Sequence, residues 1–409
     1  MDDSIKTESS PYRWVILSIM WLTTFVGVVP QFQISALAYR IIPELNLTAG
    51  QFSLILTAPM LPAVIFSLAA GALADRFGVK KVVAVGFIFS IIGVYFRYAA
   101  NSFLELFILM FLTGISITLL NANAAKLIGS WFPKEQIGTA LGLYFTAAGV
   151  GITVSLSTSA LFPTTKSAYV TAGYIMIAVW IIWMAFIKVK PQGAPDFPVM
   201  PVLKYIGVAA RSSRLWLVGM ALMFIMATNM AFSGFLPNAL HEAKGIDPVA
   251  AGFMASLFSI GTILGSIFLP FLSDRIGIIK PFLGPVAFLG GVTMYLSWLA
   301  PLGINMVLLV FVGILVGGIL PLLLSFPMLL PEIGPVYAGT AGGLIATLQL
   351  LGAVFIPSFI LAPLSGQNYT LLFMLCSMCF LIMGVISLFL PELGSKARAK
   401  DAVSMVKES

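Results

Sequence analysis

The chain has 409 residues, of which 60% are hydrophobic and 9% charged, with a mean hydropathy of +1.05 and a net charge of +7. A soluble domain carries about 25% charged residues, so this chain has too little charge to cover a water-facing surface, and a soluble globular protein is excluded. No cluster of Lys and Arg interleaved with aromatics accompanies the positive balance, which excludes a nucleic-acid interface.

The N-terminal stretch MDDSIKTESSPYRW is acidic and polar. A secretory signal opens basic, so the first apolar segment is expected to stay in the mature protein. Twelve apolar segments follow, at 13–41, 49–73, 79–100, 104–128, 136–161, 168–188, 215–240, 249–272, 281–300, 305–330, 338–362 and 369–391. A helix needs ~20 residues to cross the hydrocarbon core, and in lipid it satisfies its own backbone groups. The predicted fold class is therefore all-α integral membrane, with twelve transmembrane helices. A β-barrel would show shorter alternating segments. Several segments contain proline, among them Pro30, Pro59, Pro62, Pro321 and Pro327. Helix ends at Pro30, Pro321 or Pro327 would offer N–H donors to an anion.

With both termini placed in the cytoplasm, 18 of the 22 basic residues fall on the inner side; Arg40, Arg97, Lys166 and Lys244 fall outside. The positive-inside rule thus predicts cytoplasmic termini in a multi-pass protein of the cell membrane. One long joint, VKPQGAPDFPVMPVLKYIGVAARSSR, carries four prolines that oppose a continuous helix. It divides the chain into an N-terminal six-helix bundle (1–188), a cytoplasmic linker (189–214) and a C-terminal six-helix bundle with a short tail (215–409).

The halves repeat. FLSDRIG at 271–277 echoes ALADRFG at 72–78, and AGTAGGL at 338–344 echoes IGTALGL at 137–143. Two matches at nearly one offset imply duplicated six-span halves, a feature of transporters. GALADRFGVKK at 71–81 carries G-x-L-x-D-R-x-G-x-K/R-K/R, and with twelve spans and a central linker the chain resembles the major facilitator superfamily over nearly its full length. KLIGSWFPKEQIGTALGL at 126–143 is similar to a joint in anion and cyanate-type facilitators.

The resemblance implies two pseudo-symmetric bundles that rock by alternating access. It also implies a latch: Asp75 against the N-terminus of span eleven near Gly339, and Asp274 against span five near Gly138. An acid there is attracted to the positive end of the helix. Arg76 and Arg275 hold the two loops inside, and Gly71 and Gly78 serve close approach and a tight turn.

Two features depart from proton-coupled relatives. Met110 stands where many of them carry an arginine before a glycine in span four, and span five lacks a Gly-Pro pair. None of the fifteen acids lies mid-span, so no carboxylate relay is predicted; coupling would fall to Glu105, Glu332, a substrate proton or a counter-solute. Polar residues at mid-span are the candidate solute ligands: Thr24, Gln31, Asn121, Tyr144, Asn229 and Gln349. Amides are costly against lipid, which turns them inward, where helix–helix hydrogen bonding is the competing use. Lys126 is placed about a turn inside the end of span four, beside the path or snorkelling. Arg97, between Tyr95 and Tyr98, reads as an anchor at the membrane interface, with a base that partners an anion in the path as the alternative.

Cys376 and Cys379 have redox spacing but sit among Leu, Met and Phe, and read as packing. No phosphate-binding Gly-rich loop and no nucleophile–base pair occurs, so neither an ATP-driven pump nor an enzyme is expected, and no cofactor or metal site. The expected function is secondary transport of a small solute by a monomer in the lipid bilayer, most simply a small organic or inorganic anion with a coupling ion or counter-solute. An exporter of neutral or apolar compounds, suggested by ALMFIMATNMAFSGF, and a non-transporting receptor of the same fold are the alternatives.

Overall fold

The structure is a computed structural model and describes residues 11–189, 211–330, 332–394 and 396. Twelve helices long and apolar enough to cross a membrane are present, and no strand occurs among the described residues. Span one is Tyr12–Ala36. Span two is built of Ala49–Thr57 and Leu61–Phe77 joined by a 3-10 turn at Ala58–Met60, and span three is Val79–Tyr95 with a 3-10 turn at Phe96–Ala99. Span four is Phe103–Thr113 followed by Ile115–Trp131; spans five and six are Lys134–Thr158 and Thr165–Phe186. Spans seven to twelve follow as Ser213–Lys244, Pro248–Ile276, Lys280–Leu299, Leu302–Leu329, Gly334–Phe355 and Tyr369–Ser387. Exposed Phe, Ile, Leu and Val side chains stud these helices, among them Val307 at 69% and Phe288 at 66%. An apolar exterior of this kind suits lipid rather than water.

The prolines behave differently from expectation. Span one runs unbroken through Pro30, and span ten runs unbroken through Pro321 and Pro327, so none of the three frees a helix end. A proline removes one backbone donor, and in a membrane the neighbouring helices take up the orphaned carbonyl. The interruptions fall elsewhere: at Pro59, at Gly114, and at a π-helical segment Ile356–Leu361 containing Pro357. A side chain at Gly114 would place its Cβ 1.8 Å from the Pro59 carbonyl oxygen. The break in span four thus brings its backbone against the break in span two.

The contacts divide the chain into two compact units. The first comprises 1–31, 58–151 and 164–199; its core is formed by residues such as Phe87, Leu120, Met176 and Trp183 from spans three, four and six. Trp180 and Trp183 of span six donate to the Ala84 and Lys80 carbonyls of span three.

The second unit comprises 32–57, 152–163 and 200–409. It therefore includes the last residues of span one, the first helix of span two and the last residues of span five. Ser35 donates to the Gly234 carbonyl at 2.6 Å, Phe52 meets Phe235 edge to face, and Ser53 shares a hydrogen bond with Ser358. Gly252 packs on the Leu156 carbonyl so closely that a Cβ would stand 2.3 Å from it.

Within this unit spans eight and ten meet through glycines at i, i+4 spacing. A Cβ at Gly261 or Gly265 would lie 2.3 or 2.0 Å from the Val310 or Ile314 carbonyl oxygen. One at Gly313 or Gly317 would lie 2.2 Å from the Phe258 or Thr262 carbonyl oxygen. Small residues on one helix face let membrane helices approach to backbone contact.

Glu392, just past span twelve, caps span nine. Its carboxylate accepts from the Ile279 and Lys280 backbone N–H groups, both at 2.9 Å, and from Gly394 N–H at 2.6 Å. A carboxylate on free N–H groups at a helix start satisfies orphan donors and the helix dipole together.

Candidate functional site

Three of the predicted solute ligands come together in the first unit. Thr24 Oγ1 of span one donates to Tyr144 Oη of span five at 3.0 Å, and Tyr144 Oη donates to Asn121 Oδ1 of span four at 2.5 Å. Tyr144 is fully buried and Thr24 nearly so, whereas Asn121 is exposed. The tyrosine therefore fixes the amide from behind. Asn121 Nδ2 keeps its two hydrogens for an acceptor outside the triad, which is what an oxyanion or carbonyl would supply. Asn123, two residues on, points elsewhere: it is buried, and its Nδ2 donates to the Leu119 and Ala70 carbonyls.

Thr24 and Gln31 are seven residues apart and share one face of span one; Gln31 is 6% exposed. A shallow groove of about 250 Å³ is walled by Trp14, Leu17, Ser18, Trp21 and Leu143 of spans one and five. Trp21 stacks on Phe25 and donates to Thr146 Oγ1. Lys126, about one and a half turns below Asn121 toward the end of span four, is half-buried.

In the second unit Asn229 and Gln349 are each half-buried. Asn229 accepts from Ser233 Oγ through its backbone carbonyl, leaving the side-chain amide clear of that bond. Thr228 donates to the Cys376 carbonyl. Both cysteines are unpaired and buried, in keeping with packing.

Arg97 corrects the reading made from sequence. It is 2% exposed and is not an interface anchor. Its Nη1 donates to the Pro30 carbonyl at 2.8 Å and contacts Met110 Sδ at 3.2 Å, and the guanidinium lies 4.7 Å from the centre of the Tyr169 ring. Arg97 Nε and Nη2 have no acceptor among the described residues. The guanidinium thus reaches, from span three, the span-four position that Met110 occupies.

The acids named for coupling are engaged locally. Glu105 accepts from the Asn101 N–H while its own N–H bonds Ser102 Oγ, a reciprocal cap on span four. Glu332 accepts from Ser212 Oγ and pairs with Arg214 at 3.5 Å on an exposed surface.

Of the latch residues, Gly78 adopts φ +86°, so the tight turn is real. A Cβ at Gly71 would meet nothing within 4 Å among the described residues. Arg76, Asp274, Arg275 and Gly138 are exposed, each in its own unit. The side chains at Asp75 and Gly339 fall outside the described ones.

A family model described as Major Facilitator Superfamily matches residues 16–357. A probable nitrate/nitrite antiporter of Thermus thermophilus is 26% identical, covering 90% of both chains. A probable sulfoacetate transporter of Cupriavidus necator is also 26% identical, covering 85% of each. Among solved structures, an inward-facing, occupied bacterial homologue of the human lysosomal transporter Spinster superposes with a TM-score of 0.76 at 16% identity, covering 93% of this chain and 97% of that one. At that identity the likeness is one of fold.

Proposed function

The chain belongs to the Major Facilitator Superfamily, and from that premise we propose that it is a secondary transporter of a small oxyanion, inorganic or organic, working by alternating access with both termini in the cytoplasm. The charge inventory carries the reading. Among the described residues the membrane-spanning part keeps one fully buried cation, Arg97, and no carboxylate is among the residues bonded to it. A charge held at membrane depth is costly and is retained where it serves function. Positive potential with clear amide donors at Asn121 and Asn229 suits an anion and disfavours a cation. The relatives named for nitrate, nitrite and sulfoacetate lie in the same direction. Thr24, Gln31, Asn121, Tyr144, Asn229 and Gln349 are the proposed solute contacts, with Lys126 drawing the anion along the path.

The test is counterflow in proteoliposomes. Vesicles loaded with nitrite, nitrate or sulfoacetate are expected to accumulate the labelled external anion, and a lipophilic cation is expected to be ignored. Lys126→Gln should raise the half-saturating concentration several-fold. The effect should shrink as ionic strength rises toward 0.15 M, because charges in a watery path are screened within ~8 Å. Uptake of neutral or cationic drug-like compounds without anion exchange would turn the assignment to the exporter of apolar compounds. Binding without counterflow would make the protein a receptor.

Orientation has its own test. Cys376 and Cys379 are buried and should stay silent to an impermeant thiol reagent. Ala243→Cys, on the exposed end of span seven, should label from outside intact cells, and Gln136→Cys should not. The reverse pattern would invert the topology. The latch is part of the same reading: Asp75→Asn keeps shape but loses attraction to a helix N-terminus, worth ~0.3–2 kcal/mol. Transport should fall while insertion is unchanged, and identical transport rates would remove the latch.

A further inference from the structure

We propose that Arg97 is the fixed positive charge that selects an anion in the N-terminal unit, acting at a distance rather than by contact. The inference rests on the anion reading above and goes beyond it by naming a residue outside the predicted ligand set.

The groups around the guanidinium are a backbone carbonyl, a thioether and an aromatic face: Pro30, Met110 and Tyr169. Each offers partial negative charge and none is an ion. Nη1 is satisfied, while Nε and Nη2 find no acceptor among the described residues. A buried guanidinium without a counter-ion cannot escape its cost by losing its proton, since arginine stays protonated. Packing alone would be served better by methionine or leucine, which carry no desolvation penalty. The charge is therefore expensive and geometrically held, with no carboxylate among the described groups that touch it.

Its location says where the balance comes from. The carbonyl it grips belongs to Pro30, adjacent to Gln31, which shares a face of span one with Thr24. The guanidinium thus holds span one at Pro30, and the Thr24–Tyr144–Asn121 triad is anchored to the same helix at Thr24, about 9 Å away along its axis. A helix with its side chains is about 10 Å across. An anion held at the triad would feel the charge at roughly 10–15 Å through protein, where an effective dielectric of ~20 makes one unit charge worth on the order of tenfold in affinity. Because the intervening matter is packed protein, added salt should barely screen it. That separates Arg97 from Lys126, whose effect is salt-dependent.

The experiment measures nitrate, nitrite and sulfoacetate binding to full-length protein in nanodiscs by calorimetry, at low and at physiological ionic strength, for the parent, Arg97→Lys and Arg97→Met. The expected result is about a tenfold loss of affinity in Arg97→Met, larger for the doubly charged sulfoacetate than for nitrate and unchanged by salt. Arg97→Lys keeps the charge and should stay within about threefold of the parent. Equal affinity in Arg97→Met and parent overturns the proposal while leaving the anion assignment standing. If the parent binds none of the three anions, both fall. Should Arg97→Met not fold, Arg97→Lys decides: affinity kept within about threefold supports the charge, and a loss beyond tenfold makes the Pro30 hydrogen bond the determinant and overturns it.

Discussion

Gly265→Leu is expected to yield no monodisperse protein from membranes. A Cβ at this position would already sit 2.0 Å from the Ile314 carbonyl oxygen and 2.7 Å from its Cα. Both are backbone atoms of span ten, so no rotamer change relieves the clash. Spans eight and ten must separate, and the same movement strips the contacts at Gly261, Gly313 and Gly317. Overpacking of a well-fitted core costs ~1–3 kcal/mol. Four coupled backbone contacts push the cost above that, against a total stability of only ~5–15 kcal/mol. Gly303→Leu is the control, since open space adjoins that glycine. Size-exclusion profiles and thermal unfolding of the two variants decide the matter. A well-folded Gly265→Leu would mean that the glycine face is not the clamp between these spans.

Tyr144→Phe is expected to reduce anion uptake about tenfold or more while the protein still inserts. The ring stays, so packing against spans one and four is kept. The lost hydroxyl leaves Thr24 Oγ1 without its acceptor and Asn121 Oδ1 without its donor. Leaving a buried partner unsatisfied costs ~1–3 kcal/mol, and Asn121 gains freedom to rotate its amide away from the bound orientation. The drop should appear in kcat/KM, with only a small fall in Tm. Thr24→Val breaks one bond of the two and should cost less. Uptake in Tyr144→Phe equal to that of the parent would reduce the triad to a helix–helix fastening.

The twelve spans were legible because hydrocarbon thickness sets a length that composition displays directly. The turn at Gly78 was legible because the loop repeats at Gly277, where φ is +78°. Thr24, Asn121 and Tyr144 were picked out singly, on the cost of placing polar groups at mid-span. Their joining depends on how spans one, four and five are rotated about their axes, which hydropathy does not encode. Arg97 was misread for the same reason. Its position near a span end gives depth, and the flanking tyrosines suggest an interface, but burial is a matter of which way the side chain faces. Gly93, whose Cβ would stand 2.4 Å from the Leu109 carbonyl oxygen, brings span three against span four just below it. That glycine was the available signal of a close crossing. Pro30 misled in the opposite sense, since a lone proline in a membrane helix is carried by its neighbours.

Glu392 has a bearing on how the protein is made. The N–H groups it caps belong to residues 113 and 112 positions earlier in the chain. At synthesis rates of ~5–20 residues per second, the carboxylate emerges roughly 6–22 s after the helix it completes. Span nine must therefore enter the membrane with its first donors answered by water or lipid headgroups, and it acquires its own protein cap only after residue 392 has been made. A chain cut short between residues 387 and 391 would carry all twelve spans with one of them still open at its leading end.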